Sequence, residues 1–152
     1  MRVVGLDLGE RRIGVAVSDT SGTLARPLTT IERNSSDAHA VEQLHGLIAE
    51  LAAEEDVDAV VVGLPTRLDG SPHRQTERVA AMVTLLSARL AIPVFTSDER
   101  LSSREAEERL SVREKDWRKR KAKLDAAAAA VILQDYLDAR PLREAVERGG
   151  ES

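Results

Sequence analysis

The first third of the chain alternates apolar with small or polar residues at the period of two that β-strands require. The clearest case is Ile13 to Ser18, where branched residues alternate with small ones. An apolar run from Arg2 to Leu8 precedes it, and a weaker one from about Ala25 to Glu32 follows. Turn residues at 9–11 and 19–22 separate these three segments. The pattern predicts an antiparallel three-stranded meander.

The remaining residues alternate between helix and strand signals. Ser35-Ser36-Asp37 supplies an N-cap, and apolar residues at helical spacing predict a helix from Asp37 to about Glu55. The nearly continuous apolar run from Val57 to Leu64 predicts a strand buried on both faces, as parallel strands are. A polar loop at Thr66 to Arg74 follows it. The later predicted elements are a helix with an apolar stripe at 79–90, a strand at Pro93 to Thr96, a helix at Ser102 to Leu110 and a helix from Leu124 to about Ala139.

This order predicts an α/β fold with a five-stranded mixed sheet flanked by helices. The length of 152 residues suits one domain. We expect that domain to cover residues 1–139, with a basic segment at 111–123, and residues 140–152 to form a C-terminal tail.

Acidic residues stand at the ends of three of these elements. Asp7 closes the first strand, Asp98-Glu99 follows the last strand, and Asp125 heads an alanine-rich helix. At about 100° per residue, Asp125 lies on the buried stripe of that helix. Carboxylates so near a core are costly unless a cation compensates them, which favours a metal site built from three segments. The alternatives are that Asp7 caps a turn and that Asp125 only complements the helix dipole.

Composition restricts the chemistry of such a site. Cysteine is absent, so disulfides and thiolate ligands are excluded, and a metal would need oxygen ligands or His39, His45 or His73. This favours hard cations such as Mg²⁺ or Mn²⁺. No run of about 18 apolar residues is present, and the sequence enters a strand directly at its start. We therefore expect a cytoplasmic protein with no membrane association.

Charge is distributed unevenly along the chain. The net charge is −4, but residues 111–123 carry seven basic and two acidic residues, so this segment is +5 and the remainder is −9. Such a segment suits a phosphate backbone, and Trp117 within it could stack on a base. The alternative is a solvated surface segment. The candidate nucleic-acid contacts are Trp117, Arg118, Lys119, Arg120 and Lys121 in this segment, and Arg11, Arg12, Arg67, Arg74 and Arg100 near the acidic residues.

The element order resembles the ribonuclease H-like fold, and four motifs are similar to those of the YqgF (RuvX) family. The motifs are Val4-Gly5-Leu6-Asp7-Leu8-Gly9 with Arg11-Arg12-Ile13-Gly14-Val15-Ala16, Val62-Gly63-Leu64-Pro65 with Asp69-Gly70-Ser71, Asp98-Glu99-Arg100-Leu101-Ser102-Ser103, and Lys123-Leu124-Asp125-Ala126-Ala127-Ala128-Ala129. That family is described both as Holliday junction resolvases and as nucleases that mature the 5′ end of pre-16S ribosomal RNA. The resemblance covers residues 1–139.

The resemblance implies a metal-dependent endonuclease. It implies that Asp7, Glu99 and Asp125 are catalytic ligands of Mg²⁺ or Mn²⁺, with Asp98 either a further ligand or a partner of Arg100. One position departs from related junction resolvases, which often carry a second acid one turn after the final aspartate, where this chain has Ala128.

Several alternatives stay open from the sequence. The substrate could be pre-16S ribosomal RNA or branched DNA, since phosphodiester chemistry does not distinguish them. The chain could also be a noncatalytic nucleic-acid-binding module, although three intact acids argue against it. The actin and sugar-kinase class shares the sheet and an Asp-Leu-Gly opening, but 152 residues leave no room for its second domain. We expect a monomer or a weak homodimer.

Overall fold

The computed structural model describes residues 1–9, 11–33, 36–64, 74–98 and 125–139. Five strands form one sheet in the order β3-β2-β1-β4-β5. The first three strands pair antiparallel, whereas β4 and β5 run parallel to β1. Their bounds are β1 Val3–Leu8, β2 Arg12–Ser18, β3 Ala25–Glu32, β4 Ala59–Leu64 and β5 Val94–Asp98. The predicted mixed sheet is confirmed.

Three helices are described: α1 at Asp37–Glu54, α2 at Arg74–Arg89 and α3 at residues 125–139. The predicted N-cap of α1 is confirmed, because the Ser36 hydroxyl accepts a hydrogen bond of 3.2 Å from the backbone N–H of His39. The helix predicted at 102–110, the basic segment at 111–123 and the tail at 140–152 lie outside the described residues.

Strand alternation divides the core between the two faces of the sheet. On one face Leu6 of β1 and Val15 of β2 pack with the apolar stripes of α1 and α2. On the other face Val3 and Ala16 pack with Ile132 and Leu133 of α3. Neighbouring residues of a strand point to opposite faces of the sheet, so odd-numbered and even-numbered positions contact different helix layers. Odd positions of β1 and even positions of β2 therefore face α3.

The boundaries of three elements differ from the sequence prediction. The ladder of β4 with β1 begins at the pair Val3 and Ala59, so the buried Val57 precedes the strand. The last strand extends to Asp98, which pairs with Leu64, so Asp98 lies within β5 and not after it. Arg74, predicted to end a loop, already begins α2. Each boundary depends on pairing or helix geometry with distant residues, which the local apolar pattern does not contain.

Candidate metal site

Asp7 occupies the penultimate position of β1, directly opposite Gly14 of β2. Residues paired across antiparallel strands have Cα atoms about 4.5–5.5 Å apart and project to the same face of the sheet. That face is the one covered by α3, because a Cβ atom placed on Gly5, two residues before Asp7, would lie 2.7 Å from Cβ of Leu133. Asp7 is half-buried there, at the end of β1.

Asp125 lies directly over Gly14. A Cβ atom placed on Gly14 would lie 1.9 Å from the carbonyl oxygen of Asp125 and 2.4 Å from its carbonyl carbon. The backbone of Asp125 thus occupies the space that a side chain at position 14 would need. Since Gly14 is the cross-strand partner of Asp7, the two aspartates approach each other on one face although they lie near opposite ends of the sequence.

Arg12 adds a positive charge beside this pair. Its Nη1 atom lies 3.9 Å from Oδ2 of Asp125, and the two side chains are 25% and 27% exposed. The same Nη1 is buried and has no hydrogen-bond partner among the residues that the structure describes. A distance of 3.9 Å supports charge attraction but is too long for a hydrogen bond. Arg12 therefore keeps one donor that makes no hydrogen bond within the described residues.

Arg33 fixes the turn that carries Arg12. Its guanidinium donates to the carbonyl oxygen of Gly9 over 2.8 Å, and its backbone N–H donates to the carbonyl oxygen of Arg11, also over 2.8 Å. The other end of the guanidinium pairs with Asp37 in the first turn of α1. The turn between β1 and β2 is thereby tied to both β3 and α1, which limits its freedom next to Asp7.

The described carboxylates alone do not complete a metal site. No group of three or more potential ligands from histidine, cysteine, aspartate and glutamate occurs within the described ranges. Asp7 and Asp125 supply two carboxylates with partial solvent access, and their oxygen chemistry fits a hard cation such as Mg²⁺. Glu99, the third predicted ligand, lies outside the described residues, and Asp98 is described only as the last residue of β5.

Some of the other predicted nucleic-acid contacts lie within the described residues, and the rest lie outside them. Arg11 is exposed in the turn before β2, and Arg74 is the first residue of α2. The histidines His39 and His45 lie on α1, across the sheet from Asp125. The predicted contacts that fall outside the described residues are Arg67, Arg100, Trp117, Arg118, Lys119, Arg120 and Lys121, and His73 falls outside them too.

Two residues at this site were missed by the sequence reasoning about function. The sequence places Gly14 in an alternating strand and in a family motif but assigns it no role of its own, although glycine inside a strand often marks a close backbone approach. The run of small residues Gly14, Ala16 and Ser18 on one strand face was the available signal. Arg33 carried no comparable signal, because its role depends on carbonyl groups of a distant turn.

Comparison with known proteins identifies relatives over most of the chain. The sequence model of the RuvX family, described as a Holliday junction resolvase, matches residues 1–139. A protein of Syntrophus aciditrophicus (strain SB) named "Putative pre-16S rRNA nuclease" is 46% identical over 139 residues, which cover 91% of this chain and 89% of the relative. A protein of the same name from Anaeromyxobacter sp. (strain K) is 44% identical over 140 residues, covering 92% and 98%.

Solved structures support the same fold at lower identity. The T. thermophilus RuvC in complex with a Holliday junction substrate aligns with a TM-score of 0.53 at 19% identity, covering 92% of this chain and 96% of that one. The Fowlpox virus resolvase in complex with Holliday junction DNA aligns with a TM-score of 0.50 at 11% identity, covering 91% and 98%. At these identities the likeness concerns the fold alone. Among the described helices, none is long and apolar enough to cross a membrane.

Proposed function

This chain belongs to the RuvX family, and from that membership we propose that it is a divalent-metal-dependent endonuclease that matures the 5′ end of pre-16S ribosomal RNA. The names of its relatives support this choice of substrate, since identities of 44% and 46% extend over nearly the full length of those proteins. The description of the family as a Holliday junction resolvase supports phosphodiester hydrolysis as the reaction class.

One observation carries the proposal: the close approach of Asp7 and Asp125 over Gly14. Two acidic residues that lie far apart in sequence thereby occupy neighbouring positions on one face of the sheet, with a buried nitrogen of Arg12 near Asp125. A fold stabilised only by its core has no need of this acidic pair, whereas binding of a cation would compensate both charges. This arrangement favours an active site over a noncatalytic binding module.

We assign Glu99 as the third carboxylate. Along β5, Phe95 stacks on Tyr136 of α3 with ring centroids 6.0 Å apart, whereas Val94 packs with the opposite core. Odd positions of β5 therefore share the α3 face with Asp7 and Asp125. Glu99 follows β5 directly in the sequence, which supports it as a ligand, and Asp98 is proposed either as a further ligand or as a partner of Arg100.

The roles of the chain's own groups follow from these positions. Asp7, Glu99 and Asp125 would bind and orient Mg²⁺ or Mn²⁺ through carboxylate oxygens. A divalent cation held there would supply the charge that activates a water molecule and stabilises the leaving oxygen. Arg12 would donate a hydrogen bond to a non-bridging phosphate oxygen, because its buried Nη1 has no other acceptor in the described part of the chain. The α3 layer would hold Asp125 rigidly against the sheet.

Branched DNA is the second candidate substrate. The description of the family as a Holliday junction resolvase supports it, and the same acidic site would hydrolyse either backbone. Two-fold symmetric junction cleavage would need two active sites and therefore a dimer. For the RNA reaction a monomer suffices.

A parallel cleavage assay tests the proposal. Purified protein is incubated with a 5′-extended 16S ribosomal RNA precursor and with a four-way DNA junction of equal length, each in Mg²⁺, Mn²⁺ or EDTA. We expect metal-dependent endonucleolytic cleavage of the RNA and no comparable cleavage of the junction. An Asp7→Asn variant serves as the control for a contaminating nuclease. Preferential junction cleavage would establish the second candidate, and binding without cleavage of either substrate would establish a binding module.

Further properties follow as part of the same proposal. We assign residues 1–139 to the nuclease domain and the basic segment at 111–123 to substrate binding, through Trp117 and the cations at 118–121. Arg11, Arg67, Arg74 and Arg100 are assigned to phosphate contacts around the site. A nuclease of precursor ribosomal RNA would act in the cytoplasm, as a monomer or a weak homodimer.

A further inference from the structure

Gly14 and Gly5 both lie beneath α3, but they contact different parts of it. The virtual Cβ of Gly14 would meet the backbone of Asp125, at the described start of the helix. The virtual Cβ of Gly5 would meet Cβ of Leu133 at 2.7 Å and the carbonyl oxygen of Ala129 at 3.0 Å, one to two turns further along. Both glycines therefore permit close packing of the helix, yet only Gly14 touches the residue that carries a site carboxylate.

The contact at Gly14 leaves no room for adjustment by a side chain. Real Cβ atoms essentially never approach other heavy atoms more closely than 3.0 Å, and the nearest atom here, at 1.9 Å, belongs to backbone. A methyl group at position 14 would push the carbonyl of Asp125 outward until the separation reached that limit. Gly14 is held in the sheet by pairing with Asp7 of β1 on one side and with Thr30 of β3 on the other. The start of α3 would therefore move, and the strand would stay in place.

We infer that Gly14 is a positioning residue for metal binding: by lacking a side chain it sets the distance between the Asp125 and Asp7 carboxylates. The inference rests on the proposed function, since it takes these two residues as ligands of one metal site. Metal sites depend on the placement of their ligands by surrounding groups, and loss of such support commonly lowers affinity by about 10- to 100-fold. Gly14 acts through the backbone of Asp125 and contacts neither metal nor substrate in this assignment.

The test measures Mn²⁺ binding to the full chain by isothermal titration calorimetry, without substrate. We expect Gly14→Ala to weaken Mn²⁺ binding by about 10- to 100-fold, and the matched control Gly5→Ala to keep the wild-type affinity. Circular dichroism and melting temperature are recorded for both variants, because each methyl group strains the same helix-sheet interface.

A rescue variant separates positioning from a general loss of stability. Glutamate is longer than aspartate by one methylene, which adds about 1.5 Å of reach. Asp125→Glu alone should weaken Mn²⁺ binding, because its carboxylate extends too far, whereas the double variant Gly14→Ala/Asp125→Glu should bind more tightly than either single variant. A purely structural role for Gly14 predicts no such recovery.

The outcomes are distinguishable. Wild-type affinity in Gly14→Ala, equal losses in Gly14→Ala and Gly5→Ala, or absence of recovery in the double variant would each overturn the inference while leaving the metal site in place. An unfolded Gly14→Ala protein would also overturn it, because Gly14 would then be required for the fold itself. Wild-type protein that binds no Mn²⁺ at millimolar concentration would overturn the proposed function, and the inference with it.

Discussion

At the scale of single residues, the candidate site combines like charges with the cationic side chain of Arg12. Asp7 and Asp125 are both half-buried on the α3 face, and Arg12 lies close enough to Asp125 for attraction without a hydrogen bond. An arrangement of this kind is costly to build and is typical of a site that binds charged ligands. Its residues should therefore affect activity far more than they affect stability.

The first prediction concerns the three carboxylates. Asp7→Asn, Glu99→Gln and Asp125→Asn should each lower cleavage by at least about 100-fold, the usual effect of losing one preorganised electrostatic group. Double variants should be scarcely worse than single ones, because the ligands act as one unit. Single-turnover cleavage of the RNA precursor measures the effect. Asp138→Asn is the matched control, since Asp138 is an exposed carboxylate on α3 itself. Near-normal turnover in any of the three would remove that residue from the site.

The second prediction compares two adjacent arginines. Arg12→Gln should lower kcat/KM by about 10- to 150-fold, because a hydrogen bond to a charged group contributes about 1.5–3 kcal/mol. Arg11→Gln should have a much smaller effect, since Arg11 is exposed and Arg12 carries the buried donor. Arg12→Lys should restore little, because lysine lacks the planar guanidinium fork. Equal losses for positions 11 and 12 would show that only overall charge matters.

At the scale of secondary structure, the sequence predicted the elements whose apolar pattern depends on burial alone. The stripe that Asp125 heads predicted a buried face of α3, and Ala129, Ile132, Leu133 and Tyr136 are buried there. The alternation in β2 predicted the strand but not its burial, because both of its faces are covered. The stripe also placed Asp125 at the sheet, where the structure has it. The strand limits at Ala59 and Asp98 and the contact at Gly14 were not predictable, because each depends on an atom from a distant segment.

The third prediction concerns the turn between β2 and β3. Asp19 accepts hydrogen bonds from the hydroxyl of Ser21 and from the backbone N–H groups of Leu24 and Thr23, and these lower its pKa from 3.8 to about 2. The native state therefore favours the carboxylate. Its stabilising contribution is fully present above the unfolded pKa of 3.8 and is lost as the pH falls toward about 2.

Asp19→Asn should therefore lower the melting temperature at pH 7, and the difference from wild type should shrink between pH 4 and pH 2. Thermal unfolding followed by circular dichroism at several pH values measures this. Glu32→Gln removes one negative charge at the other end of β3, and its melting temperature shows how much the loss of a carboxylate charge alone changes stability. A difference between wild type and Asp19→Asn that stays constant from pH 5 to pH 2 would contradict the assigned hydrogen bonds.

At the scale of the whole molecule, charge separates into an acidic body and a basic segment. Residues 111–123 carry +5 and the remainder −9, so a polyanion should be repelled by most of the protein and attracted by one region. Asp7 and Asp125 belong to the acidic part, so in the proposed function both the metal and the basic segment would help to bring a phosphate near them. Substrate binding should therefore depend strongly on ionic strength.

The last prediction tests this division of charge. Replacing Arg118, Lys119, Arg120 and Lys121 with alanine should reduce the slope of log affinity against log salt by roughly 3 to 4 units, at about 0.9 per phosphate contact on a duplex or 0.7 on a single strand. Binding is measured with the RNA precursor in EDTA at several KCl concentrations, so that cleavage does not interfere. Trp117→Ala should instead weaken binding of unpaired RNA more than duplex, because stacking needs an exposed base and contributes about 1–3 kcal/mol.

The control is Arg26→Ala/Arg89→Ala, which removes two positive charges, half as many as the quadruple variant, from described positions at the opposite end of the sheet from Asp7. Because these arginines lie away from the proposed substrate path, the control should keep the wild-type slope. A lower slope in the control would indicate a general charge effect, and an unchanged slope in the quadruple variant would leave residues 118–121 as a solvated surface. A lower slope in the quadruple variant alone would show that residues 118–121 contact the phosphate backbone.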